Sequence, residues 1–298
     1  MKRIISFCVL IFSITLIFSC ASSPAPPAPE QSGSSVWKIS RNNNTLFLGG
    51  SIHLLREKDF PLPPEFLLAF SQSTVLVLET DVEQMQNEEI SQYLMSRMLL
   101  ADGQTLQTIL DSETYEMLAA KTNEYGLPLE AVSNFKPSML MLILTMIQIG
   151  ELGFTQEGID FYFMQKAGNE NKPIQFLESV ESQIDILVSM GEGYENEFIR
   201  YSLQDMENTE MFLVDILNDW RTGQSMSNEI SLKAMKEEWP LLYKSMVTDR
   251  HDAWMPQIEE YLDSGSTFFV VVGLFHMHGP DGLLRQLEER GSTIEQLR

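Results

Sequence analysis

The sequence predicts an α/β protein with a small mixed sheet, made of two similar strand–Gly-x-x-His–helix halves and a long helical insertion between them. The first observation is a run of β-branched and aromatic residues, Phe268–Val272, which is typical of a short buried strand. Gly273-Leu-Phe-His276 follows this run, and a Gly-Pro-Asp-Gly turn then leads into an amphipathic helix, Leu283–Glu289. The second observation is the same order near the start of the chain, where Gly50-Ser-Ile-His53 follows another apolar run. Two such motifs in the same setting indicate a shared chemistry.

Residues 1–19 are typical of a secretory signal peptide. Two basic residues precede an apolar run, Ile4–Phe18, that is shorter than the ~20 residues of a membrane-spanning helix. The run ends in Ile17-Phe-Ser-Cys20, which resembles a bacterial lipobox, so Cys20 is predicted to carry a lipid. Ordinary signal cleavage nearby is the alternative. Cys8 leaves with the signal, so no disulfide is expected in the mature chain.

Residues 20–35 are rich in proline, serine and alanine, a composition typical of a semi-extended tether. Loss of Lys2 and Arg3 with the signal would take the formal net charge from −22 to −24. Such an acidic protein is not expected to bind nucleic acid or to adhere to anionic lipid by charge, so attachment would come from lipid chains. Ala21 after the cysteine favours the outer membrane or cell surface under lipoprotein sorting rules.

Residues 36–298 are predicted to form one domain. Trp37–Ser40 and Thr45–Gly49 flank three asparagines, which predicts a β-hairpin. After a helix at Glu65–Phe70, a second buried strand at Thr74–Leu78 ends in Glu79. Because parallel strands present their carboxyl ends at one edge of a sheet, the residues that end them are expected to lie together.

The middle of the chain is predicted to be helical, apart from a third short strand, Lys172–Glu178, that ends with a carboxylate. Met139–Ile149 is apolar on nearly every side, which favours a central core helix over a methionine-rich binding groove. The helices are predicted at Ile90–Leu100, Thr114–Tyr125, Ser138–Ile149, Asp160–Ala167, Glu195–Arg221 and Ser231–Tyr243, with one more from Asp249.

The candidate metal ligands are His53, Glu79 and His276, each at the end of a predicted strand. Two neutral imidazoles and a carboxylate, with a coordination position left open, form a common catalytic metal site. Manganese, cobalt or zinc would suit these ligands. For each histidine alone, a hydrogen bond to the backbone is the alternative. His278 is a weaker candidate, and His251 is interpreted as a helix-start residue.

Three further residues are candidates for catalysis. Asp160 or Glu178 is expected to orient an imidazole or to act as general base, and Arg250 to balance negative charge on the substrate. A solvated acid or a plain ion pair is the alternative for each. Gly50 and Gly273 are expected to let the backbone approach the site, and a branched residue there would add strain if φ is positive. No serine nucleophile elbow or phosphate-binding glycine motif follows any predicted strand.

An ordered set of short motifs resembles the TraB/GumN family, also called TraB/PrgY/TIKI, from about Val36 to Leu297. The motifs are Gly50-Ser-Ile-His53, Val77-Leu-Glu79, Phe135-Lys-Pro137, Gly158-Ile-Asp160, Phe176-Leu-Glu178 with Gln183, Arg250 with Trp254, and Gly273-Leu-Phe-His276. The resemblance implies a metal-dependent protease like the animal TIKI members, within a superfamily that includes erythromycin-esterase-like and haem-binding ChaN-like proteins. His251 stands where the family usually has asparagine.

We therefore predict an exported, lipid-anchored, metal-dependent hydrolase that acts on a peptide or small-molecule substrate. The alternative is a non-catalytic lipoprotein that binds a peptide or haem in the same cleft. A carboxylate–histidine set favours the enzyme, whereas haem binding would need an exposed apolar face beside a histidine or tyrosine.

Overall fold

The computed structural model describes residues 33–155 and 157–298, which form a mixed α/β fold around one six-stranded sheet. The α/β class and the mixed sheet are confirmed. The predicted signal peptide, Cys20 and most of the predicted tether lie outside the described residues. The strands are β1 (Val36–Arg41), β2 (Asn44–Ser51), β3 (Val75–Leu78), β4 (Ile174–Phe176), β5 (Phe268–Gly273) and β6 (Thr293–Gln296), in the spatial order β4-β3-β5-β2-β1-β6.

Four neighbouring strands are parallel. β5 pairs with β2 on one side and with β3 on the other, and β4 pairs with β3. β1 is antiparallel to β2 and to β6. The predicted hairpin is present, and its turn residues Asn42 and Asn43 have φ values of 50° and 67°, a left-handed conformation that asparagine tolerates. β6 was not predicted, because this edge strand has only four residues and none of them is fully buried.

The predicted helices are present, with two breaks that were not expected. Glu207 and Asn208 separate α8 from α9, and Trp239 separates α10 from α11, which begins at Pro240. The helices are α1 (Pro64–Gln72), α2 (Glu88–Arg97), α3 (Leu106–Ile109), α4 (Ser112–Glu124), α5 (Pro137–Glu151), α6 (Ile159–Glu170), α7 (Val180–Ser189), α8 (Glu195–Met206), α9 (Thr209–Thr222), α10 (Met226–Glu238), α11 (Pro240–Tyr243), α12 (Asp249–Asp263) and α13 (Leu283–Glu289). A π-helical turn, Lys244–Thr248, joins α11 to α12.

Helices cover both faces of the sheet. On one face Phe66 of α1 and Phe163 of α6 pack against Phe269 of β5. Phe268 precedes Phe269 and therefore points to the other face, where Tyr261 of α12 stacks on it. Because both faces are covered, every residue of β5 is buried.

The helical insertion has an apolar core of its own. Leu140 and Leu144 of α5 are fully buried there, with Phe198 and Met206 of α8. α5 is therefore mainly a core helix, although part of its surface lines an open groove. Among the described residues, no helix is both long and apolar enough to cross a membrane.

The two Gly-x-x-His segments share their order but not their backbone. Each joins a strand to a helix, β2 to α1 and β5 to α13. After Gly273 the chain forms a short 3-10 turn, Leu274–His276, whereas after Gly50 the strand continues to Ser51. A structural repeat of the two halves is therefore not confirmed.

Candidate functional site

The carboxyl ends of β2, β3 and β5 meet at one edge of the sheet, which is where α/β folds place their ligands. His53, Glu79 and His276 lie at this edge and line a cavity of ≈ 70 Å³. The opposite wall is apolar and comes from the helical insertion, mainly from α10 and the π-helical turn. A cavity of this size holds only a few water molecules. The structure thus brings the three predicted residues together on one side of a small cavity whose other side is apolar.

His53 is the residue of this set that meets solvent. Its side chain is 46% exposed, and its Nδ1 lies 2.7 Å from Oδ2 of the buried Asp160. The other ring nitrogen, Nε2, points towards Gly273, because a Cβ built on that glycine would lie 3.7 Å from it. Asp160 therefore orients the imidazole, and Nε2 is left to face the cavity.

The start of α6 is built to hold this pair. The backbone N–H of Ile159 donates to the carbonyl of Ile52 at 3.0 Å, so the end of β2 and the first turn of α6 are joined. Gly158 precedes this turn, and a Cβ there would lie 2.2 Å from the carbonyl oxygen of His53. Only glycine permits so close an approach. Asp160 also sits in the first turn of α6, where the helix dipole favours a negative charge.

Glu79 is buried and accepts hydrogen bonds on both carboxylate oxygens. Oε1 accepts from the backbone N–H of Gly273 at 2.6 Å, and Oε2 accepts from Nε2 of Gln183 at 2.9 Å and from Nη2 of Arg250 at 2.5 Å. Burial by itself raises the pKa of Glu79, but the positive charge of Arg250 and these hydrogen bonds hold it well below its usual range. Glu79 is therefore a permanent buried negative charge beside the cavity.

Arg250, in the first turn of α12, is the centre of the buried network. Its Nε and Nη2 donate to the two oxygens of Glu178 at 3.1 and 2.7 Å, a paired geometry that suits guanidinium and carboxylate. Its Nη1 lies 2.8 Å from Nε2 of His276. The ring of Trp254 packs against the guanidinium, with its centre 4.3 Å from Cζ, and its Nε1 also donates a hydrogen bond to Glu178. Burial raises the pKa of Glu178, although Arg250 opposes the shift.

The protons on the two buried histidines follow from their partners. His251 Nδ1 lies 2.8 Å from the carbonyl oxygen of Asp281, which can only accept, so Nδ1 carries the proton. His251 Nε2 then accepts from Nδ1 of His276 at 2.9 Å. His276 Nε2 is left to accept from Arg250, which can only donate. One consistent chain of donors therefore runs from Arg250 through both imidazoles to a backbone carbonyl.

The histidines differ in charge at neutral pH. The partial loss of water around the ring by itself lowers the pKa of His53, but the charge and hydrogen bond of Asp160, with the charge of Glu79, outweigh this effect and raise the pKa to about 9. Burial and the charge of Arg250 lower the pKa of His276 well below its usual range. Burial lowers the pKa of His251 to about 4. His53 is thus a cation at neutral pH, whereas His276 and His251 are neutral.

The residues present do not fit a metal centre in this arrangement. A metal ligand must offer a free lone pair, and His276 uses its Nε2 lone pair to accept from Arg250. His53 carries a proton at neutral pH. Over residues 33–155 and 157–298, no three His, Cys, Asp or Glu side chains are placed so that they could hold one ion. A metal at His53, Glu79 and His276 would first require Arg250 to move.

Glu178, His278 and His251 do not line the cavity. Glu178 binds Arg250 and Trp254 and does not line the cavity. His278 lies against the ring of Trp37, also away from the cavity. His251 is in the first turn of α12, but its ring contacts His276, so the helix-start interpretation was incomplete. The only sequence feature that set His251 apart was its position, where the family usually has asparagine.

This fold and this cluster define an α/β protein with ionisable side chains gathered at the carboxyl edge of its parallel strands. The chain belongs to the TraB/PrgY/gumN family, whose family model matches residues 35–296. It is 24% identical over 247 residues to YbaP, an uncharacterized protein of Escherichia coli (strain K12), which covers 82% of this chain and 88% of that relative. YbaP of Shigella flexneri matches with the same identity and coverage. No solved structure matches the chain.

Proposed function

We propose that the protein is a hydrolase, with His53 as the group that exchanges protons with the substrate. The observation that carries the proposal is the His53–Asp160 pair, in which a buried carboxylate orients a half-exposed imidazole at 2.7 Å. A carboxylate that orients and charges an imidazole is the usual support for a catalytic base. The second ring nitrogen faces the space beside Gly273, where an oxygen atom would also lie near Glu79.

The chemistry proposed is the addition of water to the carbonyl of an amide or ester, as in a peptide or a small-molecule substrate. Neutral His53 takes a proton from water on Nε2 while the water oxygen bonds to the carbonyl carbon. The same proton then passes to the leaving nitrogen or oxygen as its bond to that carbon breaks. Asp160 stabilises the imidazolium between these steps. Arg250, which lines the cavity, keeps Glu79 and His276 in place and adds positive charge nearby.

Metal dependence remains a separate part of the hypothesis. If a divalent ion binds at His53, Glu79 and His276, its affinity is expected to be weak at neutral pH, because it must displace the proton of His53 and the contact of Arg250. Metal analysis of the purified protein, with manganese, cobalt and zinc added in turn and a His53→Ala, His276→Ala double variant as control, tests this point. Binding equal to that of the double variant would end the metal-dependent form of the proposal.

The test of the hydrolase proposal uses the full-length protein in detergent. Its substrates are a mixture of unstructured peptides, read by mass spectrometry, and a set of p-nitrophenyl esters. His53→Gln is expected to lower kcat/KM by roughly 10²- to 10⁴-fold, the usual contribution of an acid–base group. His278→Gln, which changes a histidine away from the cavity, is the matched control. Turnover that survives in His53→Gln, or no turnover by the wild type, would leave the non-catalytic peptide- or haem-binding alternative.

The pH profile distinguishes a base from a structural histidine. Because the pKa of His53 is raised to about 9, kcat/KM is expected to rise with pH through that value. Asp160→Asn removes the charge that raises the pKa, so the midpoint should move to lower pH while the maximum falls. An unchanged midpoint in Asp160→Asn would contradict the role given to this pair.

We also propose that the hydrolase is exported and held at a membrane by a lipid on Cys20, which lies outside the described residues. The support is the lipobox-like sequence before it and the proline-rich segment after it. Cys20→Ser should release or mislocalise the protein, and mass spectrometry should find an acyl group on Cys20 of the wild type. Unchanged membrane fractionation of the variant, with no acyl mass, would refute the anchor.

A further inference from the structure

Ser51 is the last residue of β2, two positions before His53, and its side chain lines the same cavity. The residue is 3% exposed, and among the described residues its hydroxyl has no hydrogen-bond partner. Buried hydroxyls are nearly always bonded, and leaving one unbonded costs about 1–3 kcal/mol. An unbonded hydroxyl that faces a water-sized space indicates that its partner is a bound molecule.

The register of the sheet places this hydroxyl next to the reaction space. Ser51 is the partner of Gly273 in the parallel pairing of β2 and β5. Paired residues of neighbouring strands stand on the same face, about 4.8 Å apart. The space left by the missing Gly273 side chain lies 3.3 Å from Oε1 of Glu79 and 3.7 Å from Nε2 of His53. An oxygen atom in that space is therefore one strand spacing from Ser51.

We propose that Ser51 is a further catalytic residue, whose hydroxyl donates a hydrogen bond to the carbonyl oxygen of the substrate. This rests on the proposed hydrolase function. Water addition turns the carbonyl oxygen into an oxyanion, and a donor already in place stabilises that charge without reorganisation. In the free protein a water molecule fills this position and bonds to the hydroxyl.

The same geometry separates this role from that of a nucleophile. A serine nucleophile needs its base within hydrogen-bond distance, and no such contact joins Ser51 to His53. The hydroxyl therefore acts without forming a covalent bond to the substrate. A donor of this kind contributes to kcat rather than to KM, because its bond strengthens as the oxyanion forms.

The test is Ser51→Ala, with Ser202→Ala as the matched control. Ser202 of α8 is also a buried serine whose hydroxyl has no hydrogen-bond partner among the described residues, but it lies away from the cavity. Ser51→Ala is expected to lower kcat about 10²-fold with KM nearly unchanged. Its resistance to urea should equal or exceed that of the wild type, because the change removes an unbonded buried hydroxyl. The resistance of Ser202→Ala to urea should also equal or exceed that of the wild type, and this variant should keep its full kcat.

Three results would overturn the proposal. The first is kcat/KM of Ser51→Ala within two-fold of the wild type while His53→Gln is inactive, which refutes Ser51 and leaves the hydrolase. The second is clear loss of stability in Ser51→Ala, which indicates a structural hydroxyl. The third is labelling of Ser51 by a fluorophosphonate, which would make it a nucleophile.

A readout that needs no activity separates the two proposals. A high-resolution crystal structure of the wild type should show an ordered oxygen atom within hydrogen-bond distance of the Ser51 hydroxyl and of Nε2 of His53. That oxygen should be displaced or lost in Ser51→Ala. If the hydroxyl instead bonds to a neighbouring protein atom, Ser51 has no ligand role, whatever the assays show for His53.

Discussion

The two Gly-x-x-His segments place their histidines around the same cavity as the Glu79 carboxylate, yet give them opposite properties. His53 is half-exposed, pairs with Asp160 and carries a proton at neutral pH. His276 is buried, accepts from Arg250 and is neutral. The motif alone is the same in both places. The neighbours that the fold supplies decide the charge of each ring.

This difference suggests a division of labour between the two segments. The His276 side, with Arg250, His251 and Glu79, is a closed network in which each polar atom has a partner. Such networks hold atoms in place and tolerate change poorly. The His53 side has one nitrogen held and the other facing the cavity, so it can exchange a proton. Substitutions on the His276 side should therefore affect stability first, and substitutions on the His53 side should affect activity first.

The largest effect is expected from removing Arg250. Arg250→Met would leave Glu79 and Glu178 as buried negative charges without their partner, which typically costs about 3–5 kcal/mol. In any folded fraction the pKa of His276 should rise, because the cation that lowers it is gone. Urea denaturation measures the loss of stability. Arg285→Met, which removes an exposed pair with Glu289, is the control and should leave the urea midpoint nearly unchanged, because solvent screens an exposed ion pair. A loss below about 1 kcal/mol in Arg250→Met would contradict the closed network.

Much of the fold was predictable because it depends on local patterns. β5 and α13 were predicted nearly to the residue, since a run such as Phe268–Val272 and an apolar stripe closed by Gly291 have few other interpretations. The edge strand β6 was missed, because it has only four residues, none of them fully buried, and it forms only by pairing with β1. The order of the strands could not be predicted from the sequence either, because β5 lies between β2 and β3 although it comes from the far end of the chain.

The sequence predicts which residues form the candidate site, but not which hydrogen bonds and ion pairs join them. Strand ends point to His53, Glu79 and His276, because a parallel sheet gathers such residues at one edge. Which acid meets which base depends on helices far away in sequence. Asp160 reaches His53 across 107 positions, and Arg250 reaches Glu79 across 171. Sequence spacing holds no information on such contacts. For Arg250 it left open whether the side chain meets the substrate or pairs with an acid, and the structure shows it bonded to Glu79 and Glu178 at the edge of the cavity.

The next effect concerns pH and has opposite signs for the two kinds of histidine. The pKa of His53 is raised to about 9 in the folded state, so its stabilising charge is fully present below pH ~6.5 and is lost as pH rises through 9. The pKa of His251 is lowered to about 4, so folding excludes a proton there, and stability falls as pH drops from ~6.5 to 4. Stability should therefore be greatest near neutral pH and decline on both sides.

Histidine proton resonances followed by NMR from pH 4 to 10 measure these values directly. One ring should titrate near pH 9 and disappear from the spectrum of His53→Gln. The ring of His276 should show no titration in the neutral range. Urea denaturation of His53→Gln should lose the alkaline decline, and that of His251→Asn should lose part of the acidic one. A His53 ring that titrates below pH 7 would show that Asp160 does not hold it as a cation.

The smallest effect, and the most direct comparison of the two segments, comes from their glycines. Neither Gly50 nor Gly273 has a left-handed backbone, so the strain expected for a positive φ does not apply. A methyl group at Gly50 would lie 2.7 Å from Cδ1 of Leu274, a core contact, so Gly50→Ala should cost about 1–3 kcal/mol and leave the site intact. At Gly273 the nearest atom is Oε1 of Glu79, at 3.3 Å, a tight contact that a shift of a few tenths of an ångström would relieve.

Gly273→Ala should therefore change stability by less than about 1 kcal/mol, yet lower kcat, because the methyl group fills the space where the reacting oxygen is expected. Thermal melting and the peptide and ester assays measure the two effects side by side. Gly150→Ala is the control, since a methyl group there meets no atom within 4 Å and alanine favours a helix. If Gly273→Ala turned over substrate as the wild type does, the reacting oxygen could not lie between His53 and Glu79. The cavity would then be a structural feature of the closed network rather than the place where the two segments act on one substrate.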